Sequence, residues 1–175
     1  MRPGSLVAAF LAVACGGEAA PVSQTAAQET QEVSACDLLT AADILEVTGR
    51  EPGDPVPQEL GSNFFECRWM LAGGSEQLAY AAYRPVGAPR TYEAWVEEYR
   101  ASMGEDFDES QLESYELISD VGGEFAVYAD ADFLGGLIQV YSDGRALIVG
   151  TMKIDGKSNR DLALALAAKA VGRLP

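Results

Sequence analysis

The residues best suited to specific chemistry in this 175-residue chain are its three cysteines, Cys15, Cys36 and Cys67. A thiol can be acylated, can form a disulfide, or can act as a nucleophile or metal ligand. The chain contains no histidine. Because cysteine–histidine nucleophile pairs and imidazole-based zinc sites both need that side chain, neither can be built from this sequence. The cysteines are therefore expected to serve attachment and cross-linking.

The residues before Cys15 are organised like an export signal. Arg2 supplies a positive charge, and Leu6 to Val13 form an apolar run that is far shorter than the about 20 residues needed to span a bilayer. The run ends in Ala12-Val13-Ala14, directly before the cysteine. This arrangement resembles the bacterial lipobox, although Ala12 stands where leucine is most common. The resemblance implies that residues 1–14 are a lipoprotein signal peptide and that Cys15 carries lipid such as palmitate.

Ordinary secretion is the alternative, because Ala12-Val13-Ala14 also fits an Ala-x-Ala cleavage site. The cysteine count favours lipidation. Acylation of Cys15 leaves Cys36 and Cys67 as an even pair, whereas plain secretion leaves an odd thiol in an oxidising compartment. We therefore expect a Cys36–Cys67 disulfide. A redox or metal pair is the other interpretation, and it lacks the support of a Cys-x-x-Cys motif.

Residues 15–34 are expected to form a flexible tether. The stretch is rich in Ala, Gln, Glu and Thr, with no aromatic residue and few large apolar side chains. Such a composition buries too little surface to offset its ordering entropy. The sequence thus predicts a chain lipid-anchored to a bacterial cell membrane, with one globular domain, residues 35–175, on the extracytoplasmic side.

Acidic and aromatic side chains supply the remaining candidates for a site. A calcium loop of the EF-hand type needs glycine at its sixth position, and Gln111 stands there when the loop is counted from Asp106. Leu134 similarly interrupts the segment Asp130-Ala131-Asp132. Two carboxylates could hydrolyse a glycoside, but nothing selects a pair among 27 acidic residues. We assign no catalytic residue, metal or cofactor. The acidic segment considered for calcium comprises Glu105, Asp106, Asp108 and Glu109.

Several aromatic residues could line a ligand groove. Their spacing follows strand and helix periods, which favours a place in the core for most of them. The residues in question are Tyr80, Tyr83, Tyr92, Trp95 and Tyr99.

The first half of the domain is predicted to contain a helix, a loop and a hairpin. Residues 37–48 form the helix, with Thr40 and Asp43 as a capping box and Gly49 as its end. Three prolines, Pro52, Pro55 and Pro57, mark the loop. Residues 64–71 alternate as a strand with one buried face, on which Phe65, Cys67, Trp69 and Leu71 lie, opposite Glu66 and Arg68. Residues 78–84 form the returning strand.

The second half is predicted to contain a helix after Pro89, about four strands and a last helix. Asp143-Gly144 is a strong hairpin signal between residues 137–141 and 146–154. Leu147 to Val149 are apolar on both faces, which indicates a central strand. Ser158 caps the last helix, whose apolar stripe is predicted to be Leu164, Ala167, Ala168, Val171 and Leu174. The predicted fold class is α+β: a mainly antiparallel sheet packed against two to three helices in a single domain.

Two short motifs resemble an uncharacterised family of bacterial lipoprotein domains that is abundant in actinobacteria. These motifs are Cys36-Asp37-Leu38-Leu39-Thr40, of the form Cys-x-Leu-Leu-Thr, and Cys67-Arg68-Trp69, of the form Cys-x-Trp. The segment Val121 to Ala126 is similar to a later family motif. The order of elements is also similar to that of a PsbP-like sandwich, which is an analogy of fold and implies no function. The resemblance supplies no activity and no catalytic residues.

The net charge of −15 and the missing histidine limit the function classes. Nucleic acid is excluded as a partner, because its binding depends on clustered Lys and Arg. General acid–base catalysis at neutral pH lacks its usual side chain. We therefore expect a non-enzymatic binding or interaction domain, with the membrane, an envelope protein or an apolar ligand as partner. The alternatives are a carboxylate-only enzyme such as a glycan hydrolase, and a carrier for an apolar ligand.

Overall fold

An antiparallel sheet is the centre of the fold. The computed structural model describes residues 33–60, 63–131 and 135–175, and the strands within these ranges form one seven-stranded sheet in the order β1-β2-β3-β7-β6-β5-β4. The predicted α+β class with a mainly antiparallel sheet is confirmed. The strands are β1 (Pro52–Glu59), β2 (Phe65–Leu71), β3 (Gln77–Arg84), β4 (Tyr115–Ile118), β5 (Phe125–Ala131), β6 (Gly135–Ser142) and β7 (Arg145–Thr151).

Helices cover the two faces of the sheet unequally. We call first face the side that carries Cys67, Ala81 and Val149, and second face the side that carries Glu66 and Tyr80. Three helices pack on the first face, and α3 packs on the second face over the half formed by β5 and β6. The helices are α1 (Ala35–Leu38), α2 (Ala41–Thr48), α3 (Tyr92–Met103) and α4 (Asn159–Val171). Short 3₁₀ helices span Gly104–Asp106 and Glu109–Ser114.

The predicted hairpin at Asp143-Gly144 joins β6 to β7. Both residues have positive φ, 52° and 72°, as a two-residue turn that follows the twist of the strands requires. β7 lies fourth of the seven strands, so the prediction of a central strand from Leu147 to Val149 is confirmed. Its side chains pack on both faces, with Leu147 and Val149 fully buried on the first.

The prediction that the prolines mark a loop is wrong. Pro52, Pro55 and Pro57 lie in β1, which pairs with β2 in antiparallel register, Pro57 opposite Cys67. β1 is an edge strand, where a residue without an N–H can face outward and lose no ladder hydrogen bond. Proline alone therefore did not distinguish a loop from an edge strand.

The single helix predicted for residues 37–48 is two helices. Leu39 is extended, with φ −127° and ψ 144°, and it separates α1 from α2. The predicted capping box is confirmed, because Thr40 caps α2 and its hydroxyl accepts a hydrogen bond from the Asp43 backbone N–H at 3.2 Å. The capping residue must itself leave the helical conformation, which explains the break. Gly49 ends α2 with φ 70°.

The apolar stripe predicted for the last helix is partly confirmed, because Leu164, Val171 and Leu174 pack half-buried against the core. Ser158 does cap α4, and Ala167 is buried, but Ala168 is exposed and Leu164 is only half-buried. Alanine, leucine and valine occupy most positions of α4, so periodicity could not orient it. The buried residues are Leu162, Ala163, Leu166, Ala167 and Ala170.

The predicted disulfide is present and joins α1 to β2. Cys36 and Cys67 are bonded across 31 residues of chain, and Cys67 is fully buried beside Trp69. The predicted signal peptide and Cys15 lie outside the described residues, as does the tether up to residue 32. No helix in the described ranges has the length and apolar character to cross a membrane.

Candidate ligand-binding site

The second face of the sheet is only partly covered. α3 packs its aromatic side against Phe125, Val127 and Tyr141 of β5 and β6. The other part of this face, from β1 across β2 and β3 to β7, carries no helix among the described residues. A depression of about 650 Å³ opens there, and we call it the sheet depression. It is lined by Glu66, Arg68, Glu76, Gln77, Tyr80, Leu137, Met152 and Lys153.

A buried carboxylate lies in the sheet depression. Glu66 is only 3% exposed, although the alternation of β2 predicted that it faces solvent. Its carboxylate accepts a hydrogen bond from Nε of Arg68, and the two side chains share the second face because they are two residues apart on one strand. The side chain of Arg68 is 44% exposed. The ion pair therefore links a buried carboxylate to a guanidinium side chain that is partly exposed to solvent.

Tyr80 lies next to this ion pair. It lies directly across from Arg68 in the β2–β3 register. Burial, and then the negative charge of Glu66, raise the pKa of Tyr80 to about 12, against an opposing effect of Arg68. The phenol is therefore a neutral hydroxyl at physiological pH. It can donate one hydrogen bond and accept others.

Two side chains that line the depression, Tyr80 and Leu137, flank a glycine on the central strand. Gly150 of β7 lies between Tyr80 and Leu137 in the register. A Cβ at Gly150 would stand 3.4 Å from Cδ1 of Leu137 and 3.7 Å from Cδ1 of Tyr80. An alanine at this position would thus make ordinary van der Waals contacts with both side chains. Leu137 and Met152 give the depression an apolar side opposite the Glu66–Arg68 pair.

This arrangement suits a ligand with both apolar and polar parts. The apolar part can pack against Leu137, Met152 and the ring of Tyr80. The terminal nitrogens of Arg68 can donate hydrogen bonds to the polar part, because only Nε is used by Glu66 within the described part of the chain. Lys153 adds a positive charge at the exposed rim.

The five aromatic residues considered for a ligand groove lie in three different parts of the fold. Tyr83 is buried in the core on the first face. Tyr92, Trp95 and Tyr99 lie along α3, with ring centroids 5.5 Å apart in each successive pair, and they belong to the core under that helix. Tyr80 alone of the five lines the sheet depression.

The acidic segment considered for calcium forms local structure. Asp106 lies in a 3₁₀ helix, and Asp108 caps the next one through the backbone N–H of Ser110 at 2.8 Å. Hydrogen bonds from Ser110 hold the pKa of the Asp108 carboxyl below its usual value. Glu109 lies 3.9 Å from Arg100, and Glu105 is exposed.

The second acidic segment is only partly described. Asp130 accepts hydrogen bonds from the Tyr128 hydroxyl at 2.6 Å and from Nδ2 of Asn159 at 3.4 Å. Asp132 lies outside the described residues. In the ranges that the structure describes, no three acidic or thiol side chains gather as metal ligands.

Sequence reasoning assigned Glu66, Arg68, Leu137, Met152 and Gly150 no role in a site. One signal was available, because two opposite charges alternate with core residues in β2. The pairing of Tyr80 with Gly150 could not be read from the sequence, since it depends on a register between β3 and β7 that are far apart in the chain. Comparisons with protein-family models, curated proteins and solved structures gave no match to this chain. The resemblance to a lipoprotein family therefore stays a prediction.

Proposed function

We propose that this chain is a non-enzymatic binding domain, anchored by lipid at Cys15 on the extracytoplasmic side of a bacterial membrane, whose ligand binds in the sheet depression. The anchoring rests on the sequence before Cys15. The binding rests on one observation, the buried carboxylate of Glu66 beside an open depression with an apolar side.

Burial of the Glu66 carboxylate is unfavourable for the free energy of folding. Removing an ionised carboxylate from water is unfavourable by several kcal/mol, and a partner on the same strand recovers only part of it. Apolar residues of similar volume in place of a buried pair are often neutral or stabilising. Stability of the sheet therefore gives little reason for Glu66 and Arg68 at this place, whereas recognition of a ligand does.

Arg68 is the group that contacts the ligand in this proposal. Glu66 holds the guanidinium through Nε, and the other two nitrogens make no hydrogen bond within the described ranges. A fixed guanidinium binds a carboxylate or another hydrogen-bond acceptor with less loss of side-chain entropy than a free one. The ligand class is thus an amphipathic molecule or protein segment with an acceptor group next to an apolar one.

A second candidate function follows from the two carboxylates in the depression. Glu66 and Glu76 both line it, and a pair of carboxylates is the machinery of most glycoside hydrolases. A binding domain and a glycoside hydrolase differ in whether they need the Glu76 carboxylate. Glu76→Gln abolishes turnover in a hydrolase, whereas a binding domain has no turnover to lose and tolerates this change at an exposed rim position.

The test places a photo-crosslinking residue at Lys153, on the rim of the depression, in the full chain in intact cells. A control variant carries the photo-crosslinking residue at Leu45 instead, an exposed position of α2 on the first face. We expect a discrete adduct from position 153 and none from position 45. Mass spectrometry of the adduct then identifies the ligand.

The double variant Glu66→Leu/Arg68→Met supplies the control for the site. It removes the ion pair without leaving a single buried charge, so its melting temperature should stay within a few degrees of the wild type. The adduct at position 153 should disappear in this variant. Equal adducts at both positions, or an adduct that survives in the double variant, would contradict the proposal.

A further inference from the structure

The two edges of the sheet differ in their capacity to accept another strand. β1 contains three prolines, which cannot donate to a ladder, and also Asp54 and Glu59. Prolines and charges on an edge strand prevent pairing with other chains. β4, at the opposite edge, reads Tyr-Glu-Leu-Ile and has no proline. Both edges carry charge, but every residue of β4 has a backbone N–H, so β4 is the edge better able to accept another strand.

A groove runs beside this edge. It measures about 590 Å³ and lies between β4, the turn that follows it, and α4. Ile118 and Val121 are buried along one wall. On the other wall, Ala165 and Ala168 are exposed and small, which leaves room for side chains from outside. Apolar side chains thus contribute to a groove beside β4, which pairs with β5 on one side and with no strand of the described residues on the other.

Charges mark the ends of the groove. At one end, Nε and Nη2 of Arg160 each donate to a carboxylate oxygen of Glu116 at 2.7 Å. This contact holds the pKa of the Glu116 carboxyl below its usual value. Asp120, at the other end, is exposed and makes no ion pair with any residue that the structure describes. The net charge left at the groove is therefore negative.

We propose that this groove binds an extended segment of a partner protein, which adds to the sheet as an eighth strand beside β4. Main-chain hydrogen bonds to β4 supply affinity, and alternate side chains enter the groove, as in other cases of strand addition. The segment carries an apolar residue that packs over Ala165 and Ala168. It also carries a lysine or arginine that pairs with Asp120.

A second copy of this chain fits the groove less well. The chain carries a net charge of −15, and two copies joined at β4 would bring two grooves of net negative charge together. Like charges across an interface are unfavourable. A basic segment has the opposite sign and is attracted by the whole domain.

The groove is independent of the sheet depression. It lies at the β4 edge, on the side of α4, whereas the depression lies on the second face around β2 and β3. Loss of binding at one place therefore leaves binding at the other unaffected.

The test uses a phage-displayed library of random linear decapeptides, selected against the full chain. We expect enriched peptides with alternating apolar residues and at least one lysine or arginine. Ala168→Trp fills the groove at an exposed helix position and should weaken binding of the enriched peptides at least tenfold. Ala101→Trp makes the same change at an exposed position of α3 and should leave binding unchanged. Asp120→Asn should weaken it by about two- to fivefold, as expected for one exposed ion pair.

Amide hydrogen exchange distinguishes strand addition from other ways of filling the groove. Bound peptide should slow exchange at Leu117, because N–H groups alternate in direction along β4 and that of Leu117 points away from β5, towards an added strand. Absence of enriched peptides, binding unaffected by Ala168→Trp, or unchanged exchange in β4 would each overturn the proposal. Slow exchange in β4 without peptide, together with a concentration-dependent dimer in sedimentation, would also overturn the proposal. The edge would then pair with a second copy of the chain.

Discussion

Asp43 and Glu66 are both nearly buried carboxylates, yet their surroundings differ. Oδ2 of Asp43 accepts from the backbone N–H and the hydroxyl of Thr40 at 2.9 and 2.7 Å, and from Nη1 of Arg173 at 2.8 Å. Glu66 has one arginine that is itself half-exposed in an open depression. The first carboxylate is satisfied within the protein and ties α2 to the end of α4. The Glu66 carboxylate, in contrast, lies in the open depression, where its partner Arg68 is accessible to a ligand.

The first prediction concerns Asp43. Burial acts to raise its pKa, but the hydrogen bonds from Arg173 and Thr40 prevail and lower it from 3.8 to about 2. Because the folded pKa lies below the unfolded value, the stabilisation is present above about pH 4 and is lost as pH falls towards 2. Asp43→Asn should therefore cost about 2 kcal/mol of unfolding free energy at pH 7. The difference should be roughly halved at pH 3.

Urea unfolding of both proteins from pH 7 to pH 3 measures this difference. Asp37→Asn, at an exposed acid of the neighbouring helix α1, is the matched control and should change the free energy by less than about 0.5 kcal/mol. A gap between Asp43→Asn and wild type that is constant over this pH range would contradict the assignment.

At the scale of elements, the sequence predicted what depends on local chemistry. The capping box at Thr40, the turn at Asp143-Gly144 and the central position of β7 follow from rules that act within a few residues. The edge strand β1 was missed because a strand can contain prolines only if it lies at the edge of a sheet. Its edge position depends on contacts between residues far apart in the chain. The buried state of Glu66 was missed for the same reason, since alternation in β2 gives the face of a side chain but not what covers it.

The second prediction concerns the cross-link between α1 and β2. α1 has only four residues and cannot be stable alone, so its attachment depends on packing and on the Cys36–Cys67 bond. Closing a loop of 31 residues contributes about 3–4 kcal/mol in the chain-entropy model. Reduction should therefore lower the melting temperature by about 10 °C. Differential scanning calorimetry with and without dithiothreitol measures the shift.

The double variant Cys36→Ala/Cys67→Ala serves as the comparison. It should melt at about the temperature of the reduced wild type and should not respond to dithiothreitol. The native oxidised protein should show no thiol from these two cysteines in a titration with a thiol reagent. Two reactive thiols per native chain would show that the bond is absent in solution.

On the scale of the whole molecule, the two proposed binding regions have distinct positions. Val33 and Ser34, where the described chain begins, lie beside β1. The β4 edge is six strand spacings away, or about 29 Å. The β4 groove thus lies at the edge of the sheet farthest from Val33, where the described chain begins. The sheet depression, around β2 and β3, lies nearer to Val33 than the groove does.

The last prediction concerns the anchor itself. If Cys15 is acylated, each buried CH₂ would contribute about 0.8 kcal/mol of membrane affinity, so the processed chain should sediment with membranes and should incorporate a labelled fatty acid. Cys15→Ser should abolish the label and either release the protein or leave it unprocessed. Ala14→Gly keeps a small residue before the cysteine and should retain both label and membrane fraction. A wild-type chain that never acquires label, or a Cys15→Ser chain that does, would show that the attachment is not through this residue.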